Sequence, residues 1–429
     1  MKQRFKRLSL LLTLVMIFSM LLPMGNVWAE DSVETAAGVS FTIVHTNDTH
    51  SRALSADGQL GFGKIASKIN ELRASKENVL VLDAGDTFHG QTIATLVKGE
   101  SIVKVMNAIK YDAMPPGNHD FNYGQERLLE LGQVADFPII SANVLKADGT
   151  PLLTPYVVKE LNGVKVGIFG LSTPETTYKT NPNNVKGLTF EDPVAAAEKM
   201  VKELEGKVDV IIALSHLGLD EASTYTSKLV AEKVKGIDII VDGHSHSVLN
   251  EGLKVGDSYI VQTGEYGANL GIVDVTVENG EIASVKASLF SAESAQELND
   301  DSEVAKVLEE INAEQEVITS VVIGKTAVEL DGVREHVRAG ETNLGNLITN
   351  AILEATEADV VITNGGGIRA SIDVGDITKG EVITVLPFGN YVVVKTVKGS
   401  DILAALEHGV SQYPAPNGGF PHVAGIRFA

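Results

Sequence analysis

From Phe41 to about Phe290 the chain alternates short β-branched runs with stretches whose apolar residues recur every three or four positions. The runs FTIVHT (41–46), NVLVLDA (78–84), VKVGIFGL (164–171), DVIIALS (209–215) and IDIIVDG (237–243) predict strands, because continuous apolar runs of this length suit a buried sheet. Between them, GFGKIASKINELRASK and PVAAAEKMVKELEG carry a helical period. Such alternation predicts a layered α/β unit over residues 30–300, a β-sheet sandwich flanked by helices. DSEVAKVLEEINAEQEVIT (301–319) has no Gly or Pro and a helical apolar period, so a bridging helix is expected over 301–320. A smaller α/β unit should follow over 321–429. It should hold a strand from VIGKTAVEL, a helix over NLGNLITNAILEAT, a strand running into the glycines of ADVVITNGGGIR and another over ITVLPFGNYVVVKTV. Its last residues, GGFPHVAGIRFA, read as the start of a strand, so this unit is expected to be truncated.

The first 29 residues break the pattern. Lys2, Arg4, Lys6 and Arg7 precede an apolar run from Leu8 to Met24, and VWA leads into acidic Glu30. This predicts a secretory signal cleaved after Ala29, hence a secreted or cell-envelope protein without a stable membrane span after cleavage. Loss of those four basic residues takes the net charge from −21 to −25. So acidic a chain is a poor partner for a nucleic-acid duplex. It can still take a small anion if cations cluster locally. With no cysteine, thiol catalysis and zinc–thiolate sites are excluded, and any metal must be held by His, Asp, Asn or Glu.

Such residues gather at strand ends. Asp48 and His50 follow the first strand, Asp83 and Asp86 the second, His216 the fourth, and His244 and His246 the fifth; the loop MPPGNHDFNYG adds Asn118 and His119. Loops at the carboxyl ends of strands converge where α/β sheets bind ligands. Asp48, His50, Asp86, Asn118, His216, His244 and His246 make seven nitrogen or oxygen ligands, enough for two divalent ions if one carboxylate bridges. A single Asp after a strand is commonly a turn or cap, but seven converging groups are not explained that way.

The blocks TNDTH, DAGD, GNHD, SHLG and DGHSH, in this order after strands, resemble those of the calcineurin-like metallophosphoesterases. With the second unit they resemble the secreted 5′-nucleotidase family, which includes UDP-sugar hydrolases and 2′,3′-cyclic-nucleotide phosphodiesterases. The resemblance implies one metal on Asp48, His50, Asp86 and His246, and another on Asp86, Asn118, His216 and His244, with zinc, manganese or cobalt suited to such ligands. It implies metal-hydroxide attack on the phosphorus of a nucleotide. His119 would contact the phosphate or protonate the leaving oxygen, and Asp120 would serve structure. Where family members carry an Asp paired with this histidine, the chain has Asn122. An amide cannot stabilise an imidazolium by charge, so a lower His119 pKa is expected.

In the second unit, Arg334, Arg338 and Arg369 supply cations, and Asn364, Gly366 and Gly367 form a glycine loop. The resemblance implies that these bind the nucleotide, with Phe388 stacking on the base and Asn390 meeting the nucleoside. A 2′,3′-cyclic-nucleotide phosphodiesterase with 3′-nucleotidase activity is the alternative enzyme. A nucleotide-binding protein inactivated by truncation is the alternative from another class. Oligomeric state and substrate preference are left open.

Overall fold

A computed structural model describes residues 38–388 and 390–428. The expected signal segment and its cleavage point lie outside the described residues. Among these residues no helix is long and apolar enough to cross a membrane.

Two mixed sheets form the first unit. The four-stranded sheet contains β1 (Val39–Thr46), β2 (Val79–Asp83), β9 (Asn269–Glu278) and β10 (Glu281–Ser291), in the order β10-β9-β1-β2. The six-stranded sheet contains β3 (Tyr156–Leu161), β4 (Val164–Ser172), β5 (Val210–His216), β6 (Ile239–Val241), β7 (Leu253–Val255) and β8 (Ser258–Val261), in the order β3-β4-β5-β6-β8-β7. Between the sheets lies a core from both: Phe41, Ile43, Leu80 and Leu82 meet Val166, Ile168, Ile212 and Val241. The outer face of the first sheet packs under α1 (Gly61–Ser75), α2 (Glu100–Ile109) and α3 (Gln125–Val134). That of the second packs under α5 (Pro193–Leu204) and α6 (Ser227–Lys233). The central strands β1, β2, β4, β5 and β6 are thus buried on both faces and read as nearly continuous apolar runs, whereas the outer strands β3, β7 and β10 are part-exposed. The sandwich makes one rim into two: β1 and β2 end on one sheet, β5 and β6 on the other, and their loops meet.

The helix α7 (Ser302–Thr319) starts on an Asp301 cap that accepts from the Glu303 and Val304 amides. It buries Val304, Leu308 and Ile311 against the outer helices. Beyond it, β11 (Val322–Thr326) pairs with β13 (Gly375–Thr378), and β12 (Val361–Asn364) pairs with β14 (Pro421–Ala424), all antiparallel. Helix α8 (Asn343–Thr356) contributes Leu344 to a small core with Leu330, Val337, Ile368, Ile372 and Val385. One expected element is wrong. Residues 383–388 and 390–397 form no strand: Lys379–Val385 is helix α9, opened by a capping box between Thr378 and Glu381. The box satisfies the first amides of a helix, and strand propensity in the next residues cannot override it. Residues 390–398 carry no regular structure, and Val392, Val393 and Val394 are exposed. A valine run becomes a strand only when another strand takes its backbone groups.

The loop after β2 and the loop 117–120 are joined through one side chain, Asp120. Its carboxylate accepts from the amides of Asp86 (2.8 Å), Thr87 (3.0 Å), Phe88 (2.8 Å) and Gly117 (2.8 Å). Burial and the nearby Asp86 raise this carboxyl to about 6 even though the Phe88 and Gly117 amides act to lower it. Asp120→Ala strands four buried donors and is expected to cost roughly 3 kcal/mol or more. Urea unfolding of the metal-free chain checks this; a loss below about 1 kcal/mol would contradict the role given to Asp120.

Candidate metal centre

Each strand end turns sharply before it delivers its side chain. Asp48, His50, Asp86, His244 and His246 all have positive φ, from 46° to 76°. They are five of the twelve non-glycine residues in that region among those described. A side chain there costs about 1 kcal/mol or more, so the concentration marks a place where aim outweighs local comfort. Glycines make the room. A Cβ on Gly117 would lie 2.2 Å from Asp86 Oδ1, and one on Gly243 would lie 2.8 Å from His216 Nδ1 and 2.9 Å from Asp48 Oδ2.

Three overlapping groups result: Asp48, His50 and His246; His50, Asp86 and His119; and Asp86, His216 and His244, with candidate ligand atoms within 4.8 Å of one another in each. His216 is central. Its Nδ1 donates to the Ala84 carbonyl (2.6 Å), which turns Nε2 toward Asp86 Oδ2 (3.3 Å) and Asp48 Oδ1 (3.9 Å). Burial opposes a charge on this ring, but Asp86 and Asp48 together hold it up to about 10. Burial likewise opposes protonation of His246, and contacts to Asp48 and Glu265 hold it up to about 10. Burial works against both carboxylates, yet His216 with His119 pulls Asp86 well below the usual range, and His216 with His246 keeps Asp48 below it. Burial and neighbouring His119 push His50 down to about 4.

The fit of these residues to divalent cations rests on unspent atoms. Asp48 Oδ1, Asn118 Oδ1 and His216 Nε2 are buried without a hydrogen-bond partner. Buried polar atoms are normally paired, so three orphans in one pocket point to a missing electrophile. The donor set, imidazole nitrogen with carboxylate and amide oxygen, suits zinc or manganese.

His119 lies at the edge of this cluster. Its amide donates to Asp86 Oδ1 (2.7 Å), its ring is 5.0 Å from that of His50, and Asn122 Nδ2 sits 2.9 Å from its Nδ1. Burial is the largest cause of a lowered His119 pKa, with His216 and Arg369 acting in the same direction and Asp86 against it; Asn122 is not among the causes. The second unit reaches the same edge. Phe388 lies 6.1 Å from His119 and stacks on His89 at 5.5 Å, and Arg369 Nη2 donates to the Tyr266 hydroxyl (3.2 Å). Arg338 is depressed by burial first and then by the charges of Arg334 and Arg369. Arg334 is exposed, 3.9 Å from Glu265. Asn364 Nδ2 and the Gly366 amide both donate to the Gly418 carbonyl, which fixes the loop that also contains Gly367. Asn390 is exposed.

Sequence reasoning missed Glu175, Glu265 and Tyr266. Glu265 Oε2 lies 2.6 Å from His246 Nδ1, and Tyr266 has Arg52 over its ring at 4.0 Å while its amide donates to the Asp48 carbonyl. Glu175 follows β4, and Glu265 and Tyr266 follow β8, so the strand-end rule applied to STPET and TGEYG finds all three.

The comparisons with known proteins agree with this geometry. Residues 41–248 match the calcineurin-like phosphoesterase model and residues 322–429 the 5′-nucleotidase C-terminal domain model. The chain is 37% identical to the trifunctional nucleotide phosphoesterase protein YfkN of Bacillus subtilis, over 90% of this chain but only 29% of that protein. It is 34% identical to 5′-nucleotidase of Homo sapiens, over 91% of this chain and 75% of the human one. The 5′-nucleotidase precursor of Thermus thermophilus superposes with a TM-score of 0.74 at 36% identity, covering 91% of this chain and 82% of that one. By these matches the chain belongs to the 5′-nucleotidase family, in which a calcineurin-like phosphoesterase domain precedes a 5′-nucleotidase C-terminal domain.

Proposed function

We propose that the chain is a two-metal phosphoesterase that hydrolyses nucleotides, most simply 5′-mononucleotides. The observation that carries this reading is the convergence of the candidate ligands, among which Asp48 Oδ1, Asn118 Oδ1 and His216 Nε2 are buried without a hydrogen-bond partner. In this reading Asp48, His50, Asp86 and His246 hold one ion, and Asp86, Asn118, His216 and His244 the other. Divalent ions in such a centre supply water activation and charge for the phosphoryl oxygens.

The chain's own groups do the rest. Asp86 lies in two of the three ligand groups, which supports its role as the bridge. His119, outside both ligand sets, faces the space above them and contacts the phosphate or the leaving oxygen. Asn122 Nδ2 is directed at its Nδ1, so the other ring nitrogen is the one that meets substrate. Arg334, Arg338 and Arg369 offset a chain of net charge −21 and give an anion a local reason to bind. Phe388 and Asn390 are assigned to the nucleoside, with the loop of Asn364, Gly366 and Gly367 beside them. Domain limits of 30–300, 301–320 and 321–429 belong to the same reading, as does export directed by the first 29 residues; an N-terminal sequence of the secreted protein beginning at Glu30 checks the latter.

A second reading, hydrolysis of 2′,3′-cyclic nucleotides, is favoured by Asn122. A neutral amide beside His119 lends no charge to an imidazolium, which suits a substrate whose leaving oxygen stays tethered to the product.

The mature chain loaded with zinc or manganese is expected to release phosphate from AMP and to stop when a chelator is added. Faster turnover of 2′,3′-cyclic AMP would select the second reading, and metal-independent turnover would overturn both. Asp86→Ala is expected to abolish phosphate release and to lower bound metal together, as read by elemental analysis; an active variant would sink the bridging role. Phe388→Ala removes a stacking face worth about 1 to 3 kcal/mol, so KM for AMP should rise roughly tenfold while turnover of ribose 5-phosphate is unchanged.

A further inference from the structure

The ring of His244 has two candidate partners on one nitrogen. Its Nε2 lies 3.0 Å from Glu175 Oε2 and 3.0 Å from Lys179 Nζ, and those two groups lie 2.7 Å from each other. Glu175 stands at the N-terminal end of the short helix α4 (Thr176–Lys179), directly after β4, and Lys179 at its last position. The carboxylate is largely covered, its side chain 13% exposed, whereas Lys179 is 39% exposed. The imidazole side chain is 3% exposed, so it has no water to fall back on.

A neutral imidazole carries one N–H and one lone pair, so Nε2 can satisfy one of these neighbours and not both. If it donates to the carboxylate, the lone pair is on Nδ1, the nitrogen left for the group formed with Asp86 and His216. If instead the ammonium donates to Nε2, the proton sits on Nδ1 and that nitrogen cannot bind a cation. The same logic is already satisfied in His216, whose Nδ1 donates to a main-chain carbonyl and whose Nε2 is left unspent.

We propose that Glu175 is a positioning residue for the metal centre: it accepts the hydrogen bond donated by the His244 Nε2–H, leaves Nδ1 free for the ion, and holds Lys179 on its own carboxylate instead of on the ring. This rests on the reading of His244 as a metal ligand. Glu175 touches neither substrate nor ion in this role, and Lys179 is the group it has to outcompete.

The test measures metal content and affinity of the full mature chain, by elemental analysis and by competition with a chromogenic chelator, using zinc alone. The parent should hold two ions. Glu175→Ala should keep one at parental affinity and bind the other roughly 10- to 100-fold more weakly, the usual effect of removing an orienting partner of a metal-bound histidine. Glu175→Gln keeps a carbonyl acceptor and should stay within a few-fold of the parent. Lys179→Met alone should bind at least as tightly as the parent, and Glu175→Ala with Lys179→Met should recover part of the loss, because the competing donor is gone. That recovery is the readout a merely structural role would not give. Nitrogen-15 shifts of the imidazoles add a second, showing a non-protonated Nδ1 in metal-free Lys179→Met. Two ions at parental affinity in Glu175→Ala, or a double variant no better than the single one, would overturn the proposal. A parent that binds no zinc would overturn the metal reading itself, and with it this inference.

Discussion

Asp48 and Asp86 are two buried carboxylates that share one histidine nitrogen, and a sandwich interior does not tolerate such charges without a cationic answer. Much of the centre can be understood as that answer. The turns that aim the acids have positive φ, the glycines beside them have no space for a side chain, Asp86 and Asp48 hold His216 high, and Asp48 with Glu265 does the same for His246. A divalent cation and a proton on His216 compete for one lone pair. The residues are therefore arranged around a place for positive charge.

Most of the first unit was legible from its apolar runs. The central strands are covered on both faces, so β1, β2, β4, β5 and β6 announce themselves as nearly uninterrupted apolar strings, and the acids and histidines directly after four of them mark the rim. Two things were not legible there. A run of apolar residues does not say which sheet a strand joins, so one rim was expected where two sheets meet. Partners that act through another side chain, such as Glu175 and Glu265, carry no motif of their own and look like ordinary loop acids. In the second unit, residues 383–397 misled because β-branched composition was weighed above a capping box at Thr378 and Glu381. Local hydrogen bonds start a helix wherever they are offered, whereas a strand needs a partner.

The second unit meets the first through aromatic and guanidinium contacts rather than through a continuous apolar core. Phe388 on His89, Arg369 on Tyr266 and Arg334 near Glu265 are such contacts. Such contacts are small and polar, of the kind that separate without exposing a large apolar face. The two units thus keep separate cores.

The strand order has a consequence for how the protein is made. β1 pairs with β2 on one edge and with β9 on the other, so that Val39 sits opposite Val277. During synthesis the segment bearing Asp48 and His50 emerges early, yet one of its edges stays bare until almost the whole first unit has followed. Closing so long a loop must precede any reward from the contacts it brings, so the pairing comes late. Ions encountered by the emerging chain meet scattered acids and histidines and no site. Loading belongs to the finished fold, in whatever compartment that fold is completed, and the metal available there decides which ion the centre holds.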